Sequence, residues 1–295
     1  MNKNVKNKIR DILRMILTVK GYSFFRFLVT HQYLPSFSNP STFSEKVQHR
    51  KFYTDPTMWS RFVDKYTVRG YVSEIIGEQY LIPLIARYES LDVSDFDYLP
   101  ERFVIKTSNG GGGVNVKVVN NKDNLIINDV ITEFNKACKE KIGSKIDEYF
   151  YDINSGCILI EELISNADCT PLLDYKFHIF RNKGDIFILL QINSDYGKEN
   201  ETKTLYNLNG LRSEIQFSYY NLGPKNITLP NNFPKMLELA KSLSSGFDYV
   251  RIDLYNVDEV IYFGEITVCP ASGWDKINTK KHDDYLGKMW GGANF

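Results

Sequence analysis

The run Val104-Ile-Lys-Thr-Ser-Asn-Gly-Gly-Gly-Gly-Val-Asn-Val-Lys-Val-Val119 joins a cation to a backbone that can bend around a bound group. Lys106 closes a β-like run, Gly110 to Gly113 follow, and a second alternating run begins at Val114. Glycine accepts positive φ and lets N–H groups approach a ligand closely. A lysine beside such a turn meets phosphate as a point charge. The order is strand, glycine turn, strand, and no G-x-x-x-x-G-K-[ST] is present. A nucleotide held here would lie under a β-hairpin flap; the alternative is a solvent-exposed hairpin without a ligand.

Arg251-Ile-Asp253 and Glu265-Ile-Thr267 fall on two successive β-like runs. A strand repeats every two residues, so Arg251 and Asp253 share a face, as do Glu265 and Thr267. A turn near Asp258 and Glu259 would set Asp253 opposite Glu265. Adjacent carboxylates repel unless a cation or proton lies between them. Hard oxygen ligands with room for water and phosphate oxygens suit Mg2+. The competing account is a surface salt-bridge network. There Arg251 and Lys276 neutralise the acids, and Asp248 and Asp258 are turn or surface residues.

Ile158-Leu-Ile-Glu161-Glu162-Leu-Ile164 is an apolar strand that turns acidic. Its end is either a solvated edge or a place where backbone groups meet an adenine edge, with Asp168 reaching a ribose. Lys176, in Asp174-Tyr-Lys-Phe-His-Ile-Phe180, shares a face with His178 and Phe180. It either snorkels to solvent or meets a buried phosphate.

The elements that must position these residues follow from periodicity. Residues 1–55 read as short helices and turns, broken at Pro35 and Pro40. The apolar patch 12–28 is interrupted by Arg14, Lys20 and Arg26, so it is too charged to span a bilayer, and no leader-peptide cleavage pattern follows. It reads as an amphipathic helix, for which packing on the body and contact with a membrane surface are both open. Ser41-Thr-Phe-Ser-Glu45 reads as a capped helix start. Residues 58–76 are expected to form one helix ended by Gly77. Residues 129–142 and 233–245 are helical on apolar spacing. Strands are expected at 102–108, 114–119, 157–164, 175–181, 185–192, 202–207, 249–255 and 260–268, with a hairpin turn at Asn182-Lys-Gly184. The tail from Lys276 is charged, then ends in a segment that could dock on the body.

A chain of 295 residues accommodates two or three subdomains. Lys+Arg and Asp+Glu are equal at 36, which removes bulk charge as a means of recruiting nucleic acid. Cys138, Cys157, Cys169 and Cys269 contain no C-x-x-C, and the histidines form no H-x-x-x-H. Neither a zinc site nor a disulfide framework is indicated, and a reducing cytosol fits.

Taken in order, these pieces resemble the ATP-grasp superfamily: Asp64-Lys65, Lys106 with its glycine loop, Ile160-Glu-Glu-Leu-Ile164, Lys176, Arg251-x-Asp253 and Gly264-Glu265-x-x-x-x-Pro270. More closely, the chain resembles the TupA-like ATP-grasp group of surface-polysaccharide genes. That match is carried by Asn39-Pro-Ser-Thr-Phe-Ser-Glu-Lys46, Asp64-Lys-Tyr-Thr-Val-Arg69, Asp174-Tyr-Lys-Phe177, Phe263-Gly-Glu-Ile-Thr267 and Leu286-Gly-Lys-Met-Trp290. The resemblance implies an α+β fold in which the nucleotide lies between two α+β subdomains behind a helical N-terminal segment. The implied division is 1–56, then 57–163 with the central helix and flap, then 164–295 with the metal hairpin. Lys65 and Lys106 would approach the ATP phosphates, and the loop Asn109, Gly110, Gly111, Gly112, Gly113 would close over them. Glu161, Glu162 and Leu163 would form the adenine-side strand end, Asp168 would bind ribose, and Lys176 would be a further nucleotide contact. Asp253 and Glu265 would hold Mg2+, and Arg251 would meet the transferring γ-phosphoryl group. D-alanine ligase relatives carry Glu-x-Asn where this chain has Glu265-x-Thr267. A hydroxyl is the poorer ligand there, although the TupA-like group also uses threonine.

The resemblance implies an ATP- and Mg2+-dependent carboxylate–amine ligase that works through an acyl phosphate. Its partners would be a carboxylate-bearing sugar or glycan precursor and an amine such as an amino acid, in the bacterial cytoplasm or at the inner face of the membrane. Two other readings stand beside it. A kinase would use the same ATP site on a hydroxyl. A glycosyltransferase would use Asp95-Phe-Asp97 as a metal-binding D-x-D.

Overall fold

The computed structural model describes residues 3–111, 115–168, 170–194 and 200–291, with side chains from Arg10 onward. In chain order the helices are α1 (Lys3–His31), α2 (Phe43–Tyr53), α3 (Thr57–Val63), α4 (Val68–Ile75), α5 (Ile127–Lys139), α6 (Gly143–Ile146), α7 (Phe233–Leu243) and α8 (Lys280–Met289). The strands are β1 (Leu84–Tyr88), β2 (Phe103–Thr107), β3 (Val116–Val119), β4 (Ile158–Glu162), β5 (Asp174–Asn182), β6 (Asp185–Ser194), β7 (Thr202–Tyr206), β8 (Tyr249–Val257) and β9 (Val260–Thr267).

Two antiparallel sheets result. The first has order β1-β4-β2-β3 and the second β7-β6-β5-β8-β9. Each has its own core. Phe103, Ile105, Ile158 and Ile160 pack with Val130 and Phe134 of α5 behind the first sheet. Phe177, Ile179, Ile252 and Ile266 share the larger core with Met236 and Leu239 of α7. Trp59, Phe62, Val68 and Val72, from α3 and α4, belong to that larger core as well. Period two then leaves the opposite face of the second sheet to its polar residues. Leu81, three residues before β1, bridges Phe263 of the second sheet in parallel.

The expected strands, α5 and α7 all form, with ends shifted by a few residues, as fraying termini allow. The turn at Lys183 and Gly184 forms with positive φ at both (49° and 94°). Thr42 caps α2 in a capping box with Glu45.

Two expectations change and a third holds in part. Residues 57–76 are two helices, because the Asp64 carboxylate accepts from the N–H groups of Tyr66 and Thr67 at 3.0 and 2.9 Å and turns the chain between them. The N-terminal segment holds a long element of 29 residues with non-helical backbone at Thr18, since no proline precedes Pro35 to end it earlier. Asp248, expected as a turn or surface residue, does stand in a bend before β8 but is only partly exposed. It accepts from Arg50 at 2.5 Å and from the Trp290 indole at 2.5 Å, beneath the second sheet. The C-terminal segment does dock, with Trp290 only 3 % exposed.

Candidate active site

The β8–β9 hairpin turns at Asp258 and Glu259, both with positive φ (48° and 68°), and sets Asp253 opposite Glu265 and Arg251 opposite Thr267. On the other side, β5 sets Lys176 opposite Asp253 and His178 opposite Arg251. Alternation along three strands therefore gathers Lys176, His178, Arg251, Asp253, Glu265 and Thr267 on one face. Register carries that face onward through Gln191 and Asn193 to Lys203.

The charges interlock. Arg251 donates from Nε and Nη2 to the two oxygens of Asp253, each at 2.7 Å, and from Nη2 to Glu265 at 3.3 Å. Lys176 donates to Asp253 at 2.6 Å and also pairs with Asp174. Thr267 donates to Glu265. Burial works against the Asp253 carboxylate, but Arg251 and Lys176 outweigh it and hold its pKa below the usual value. Burial, and then the charge of Asp253, push Asp174 up to about 6 against the pull of Lys176. His178 is buried and bonded to Gln191 and Tyr249 at 2.8 and 2.9 Å. Burial, then the positive charge of Arg251, hold its pKa down to about 3, so it is a neutral packing element. Lys276 does not neutralise the acids; it donates to Gln32 at 2.6 Å.

The first sheet faces this cluster with its own cations. Lys106 lies 2.6 Å from Glu161, on the neighbouring strand β4, and Arg69 of α4 lies 3.2 Å from the same carboxylate. Lys65 sits in the break between α3 and α4. Its N–H donates to Ser108 O at 2.9 Å and its ammonium bonds the carbonyl of Gly110. Burial lowers the Lys65 pKa, against the opposing charge of Glu265 and with the help of Lys106, so Lys65 feels both sheets at once. Lys65, Arg69, Lys106 and Glu161 line one recess together with Phe263 and Gly264 of the hairpin.

Other expected residues lie differently. Gly110 has φ +86°, and a Cβ there would stand 2.6 Å from Ile142, so glycine is required at the flap's base. Gly111 approaches the Tyr151 hydroxyl, while Gly112 and Gly113 lie outside the described residues. The Asn109 side chain is buried and its Nδ2 donates to Glu140 O at 3.2 Å, which anchors the loop, while its Oδ1 is buried without a hydrogen-bond partner. Glu162 is exposed, and its N–H donates to Pro83 O at 3.1 Å. Leu163 is half-buried just past β4. Asp168 is exposed and accepts from the N–H and hydroxyl of Thr170 at 2.9 and 2.7 Å, which ties it into a local turn and not into the cluster. Lys176 does not snorkel; its side chain is 12 % exposed. Asp95 and Asp97 lie in a 3-10 turn, and Asp95 accepts from the Asp92 N–H at 2.7 Å as half of a capping box. Asp95, the first acid of the D-x-D, is thus engaged in a cap with Asp92.

Arg69, Asp174 and Lys203 received no role from sequence spacing. Lys203 pairs with Asp275 and stands 4.6 Å from the Phe217 ring centre. Arg69 and Asp174 do stand inside the quoted motifs, which was the available signal; Lys203 had none.

Residues 45–290 match the family model described as TupA-like ATPgrasp. The chain belongs to that family. No curated protein matches it. Among solved structures it is similar to D-alanine–D-alanine ligase from Helicobacter pylori, at 18 % identity and a TM-score of 0.45 over 78 % of this chain and 58 % of that one. It is similar to the ADP complex of PurK, N5-carboxyaminoimidazole ribonucleotide synthetase, at 12 % identity and 0.43 over 76 % and 50 %. D-alanine–D-alanine ligase from Bacillus anthracis, complexed with ATP, follows at 18 % and 0.41 over 79 % and 65 %. This chain therefore spans between 50 % and 65 % of the length of these three proteins. The two-sheet α+β architecture is the ATP-grasp fold of the family.

Among the described residues no group of three or more His, Cys, Asp or Glu side chains is placed to hold a metal ion, and both Asp253 oxygens are bonded by Arg251 and Lys176. Asp253, Glu265 and Thr267 offer only hard oxygen, and Asp174 Oδ1 is buried beside them without a hydrogen-bond partner.

Proposed function

We propose that the chain is an ATP-dependent carboxylate–amine ligase, with ATP lying between the two sheets and the subdomain boundary near Leu163. The observation that carries this reading is the recess that Lys65, Arg69 and Lys106 line together with Phe263 and Gly264 of the β8–β9 hairpin, with Lys65 feeling the charge of Glu265, the residue next to Gly264, which stands opposite Asp253. Cations suited to phosphate stand next to an all-oxygen donor set. Lys106 itself stands on the β2–β3 hairpin, whose strands flank the glycine run.

A substrate carboxylate oxygen attacks the γ-phosphorus of ATP. The bond to the β–γ bridging oxygen breaks, giving ADP and an acyl phosphate. An amine then attacks the acyl carbon, phosphate leaves, and the amine loses a proton to give an amide. Mg2+ held by Asp253, Glu265 and Thr267, in competition with Arg251 and Lys176 for Asp253, would supply charge neutralisation at the phosphates. Lys106 and Lys65 would bind phosphate oxygens, which compete with Glu161 and the Gly110 carbonyl for them. Arg251, held in orientation by Asp253, would stabilise negative charge on the γ-phosphoryl group as it moves. Lys176 would hold Asp253 and meet the nucleotide. Backbone of Glu161 and Leu163 would meet adenine, and Asp168 the ribose once its turn opens. The loop 109–113 would exclude water from the acyl phosphate.

For substrates, family membership supports a uronic-acid or amino-acid carboxylate and an amine of surface-polysaccharide synthesis, in a bacterial cytoplasm where ATP and Mg2+ are supplied. Calorimetry of ATP with and without Mg2+, on the native chain and on Asp253→Asn, tests the site. Mg2+-dependent ATP binding weakened by the substitution is expected. Lack of ATP binding under every condition would sink the proposal. ADP release that needs both a carboxylate and an amine identifies the ligase, whereas phosphorylated product formed without an amine identifies a kinase.

A further inference from the structure

The first half of α1, before the break at Thr18, is fastened to the body along one side. Arg14 lies 2.7 Å from Asp147 and donates to Ser144 O at 3.1 Å. Elsewhere on this half, Ile12 is 52 %, Met15 80 % and Ile16 69 % exposed, with Leu13 and Leu17 also exposed. Ile12 and Ile16 stand one turn apart, and so do Leu13 and Leu17, which makes an apolar stripe open to solvent. Past the break, Phe27 and His31 are buried, and Arg26 stands 3.9 Å over the Trp274 ring, yet Phe25 and Val29 face solvent, again one turn apart. Isolated exposed apolar side chains are ordinary; a continuous series is a contact surface.

Charge says what the contact is. Residues 1–31 carry Lys3, Lys6, Lys8, Arg10, Arg14, Lys20 and Arg26 against one acid, Asp11, in a chain whose total is balanced at 36 and 36, and with Arg14 held by Asp147 and Arg26 by Trp274 the excess rests on the other five cations. A second copy of so basic a helix would be repelled, whereas an anionic surface would attract it. No helix among the described residues is long and apolar enough to cross a membrane. We propose that α1 lies along an anionic lipid bilayer, its apolar stripe at the headgroup–acyl boundary and drawn there by the cations that are not held by the body. This inference is independent of the nucleotide chemistry.

The test is cosedimentation of the full chain with vesicles of phosphatidylglycerol and phosphatidylcholine, or of phosphatidylcholine alone. Binding to the anionic vesicles is expected, weaker by roughly tenfold or more on the neutral ones. The double substitution Ile12→Glu, Ile16→Glu should lower anionic-vesicle binding by roughly tenfold or more, with the melting curve unchanged because both side chains are exposed. Native chain left in the supernatant with anionic vesicles overturns the proposal. So does equal partitioning of the native and substituted chains. A dimer in sedimentation velocity that the double substitution abolishes, without vesicle binding, assigns the stripe to a second copy and overturns it as well.

Discussion

Arg251 holds both oxygens of Asp253 in a fork and reaches Glu265 with the same nitrogen that closes it. A planar guanidinium can do this and an ammonium cannot. Arg251→Lys should keep a positive charge but lose the orientation. The expected outcome is a fall in kcat of about 10²–10³-fold with ATP affinity nearly unchanged, read by ADP release and calorimetry. His178 makes a prediction about pH. An unfolded histidine takes a proton below about 6.5, whereas burial and Arg251 hold folded His178 down to about 3. Between those values the unfolded chain binds more protons, so stabilisation from this site is complete above the upper value and is lost as pH falls. His178→Gln should fall less steeply in Tm across that window than the native chain does, each pH unit being worth about 1.4 kcal/mol. Parallel slopes would show that His178 titrates normally.

At the scale of elements, the break between α3 and α4 matters most, because it lifts Lys65 out of a helical face and bonds its N–H to the loop after β2. Asp64 makes that break by accepting two N–H groups. Asp64→Ala should cost about 1 kcal/mol, as loss of a cap does. It should also raise the KM for ATP more than it lowers kcat, since Lys65 is displaced while the β8–β9 hairpin is untouched. Unchanged kinetics together with the stability loss would separate the cap from the site. Helical spacing alone runs straight through residues 57–76. Asp64 as a cap competes with that spacing by local hydrogen bonding, a signal that a purely apolar pattern does not carry.

At the scale of the whole molecule, the N-terminal and C-terminal segments close on each other and on the second sheet. Tyr33 donates to Asp283 at 2.8 Å, and Asp283 accepts from the Ser44 N–H at 2.9 Å. Trp290 packs against Phe43, Tyr249 and Arg50. α8 approaches the start of α2 so closely that a Cβ on Gly287 would stand 2.0 Å from Ser41 O and 2.7 Å from Thr42 Cα. These are backbone atoms and cannot yield as a side chain would. Gly287→Ala should destabilise the fold by about 1–3 kcal/mol in urea unfolding, with native-like kcat in the fraction that remains folded. A neutral substitution would mean that α8 is free to shift.

What the sequence by itself determined is chiefly which side chains share a face along one strand. Period two put Arg251 with Asp253 and Glu265 with Thr267, but the two-residue turn alone would have set Asp253 opposite Gly264; a register shift between Asp253 and Leu254, a β-bulge that the spacing did not announce, brings Glu265 opposite it. The α+β content and the capping box at Thr42 were legible in local spacing as well. Only the tertiary structure decided that Lys176 turns inward to Asp253, at a sequence separation of 77, and that Arg69 meets Glu161 across 92 residues. The Asp168 turn with Thr170 and the capping box of Asp95 with Asp92 are local contacts that a reading for chemistry passed over. Backbone geometry fixes which side chains share a face. Which buried charge meets which partner is set by desolvation cost across the whole packed molecule, and no local spacing encodes it.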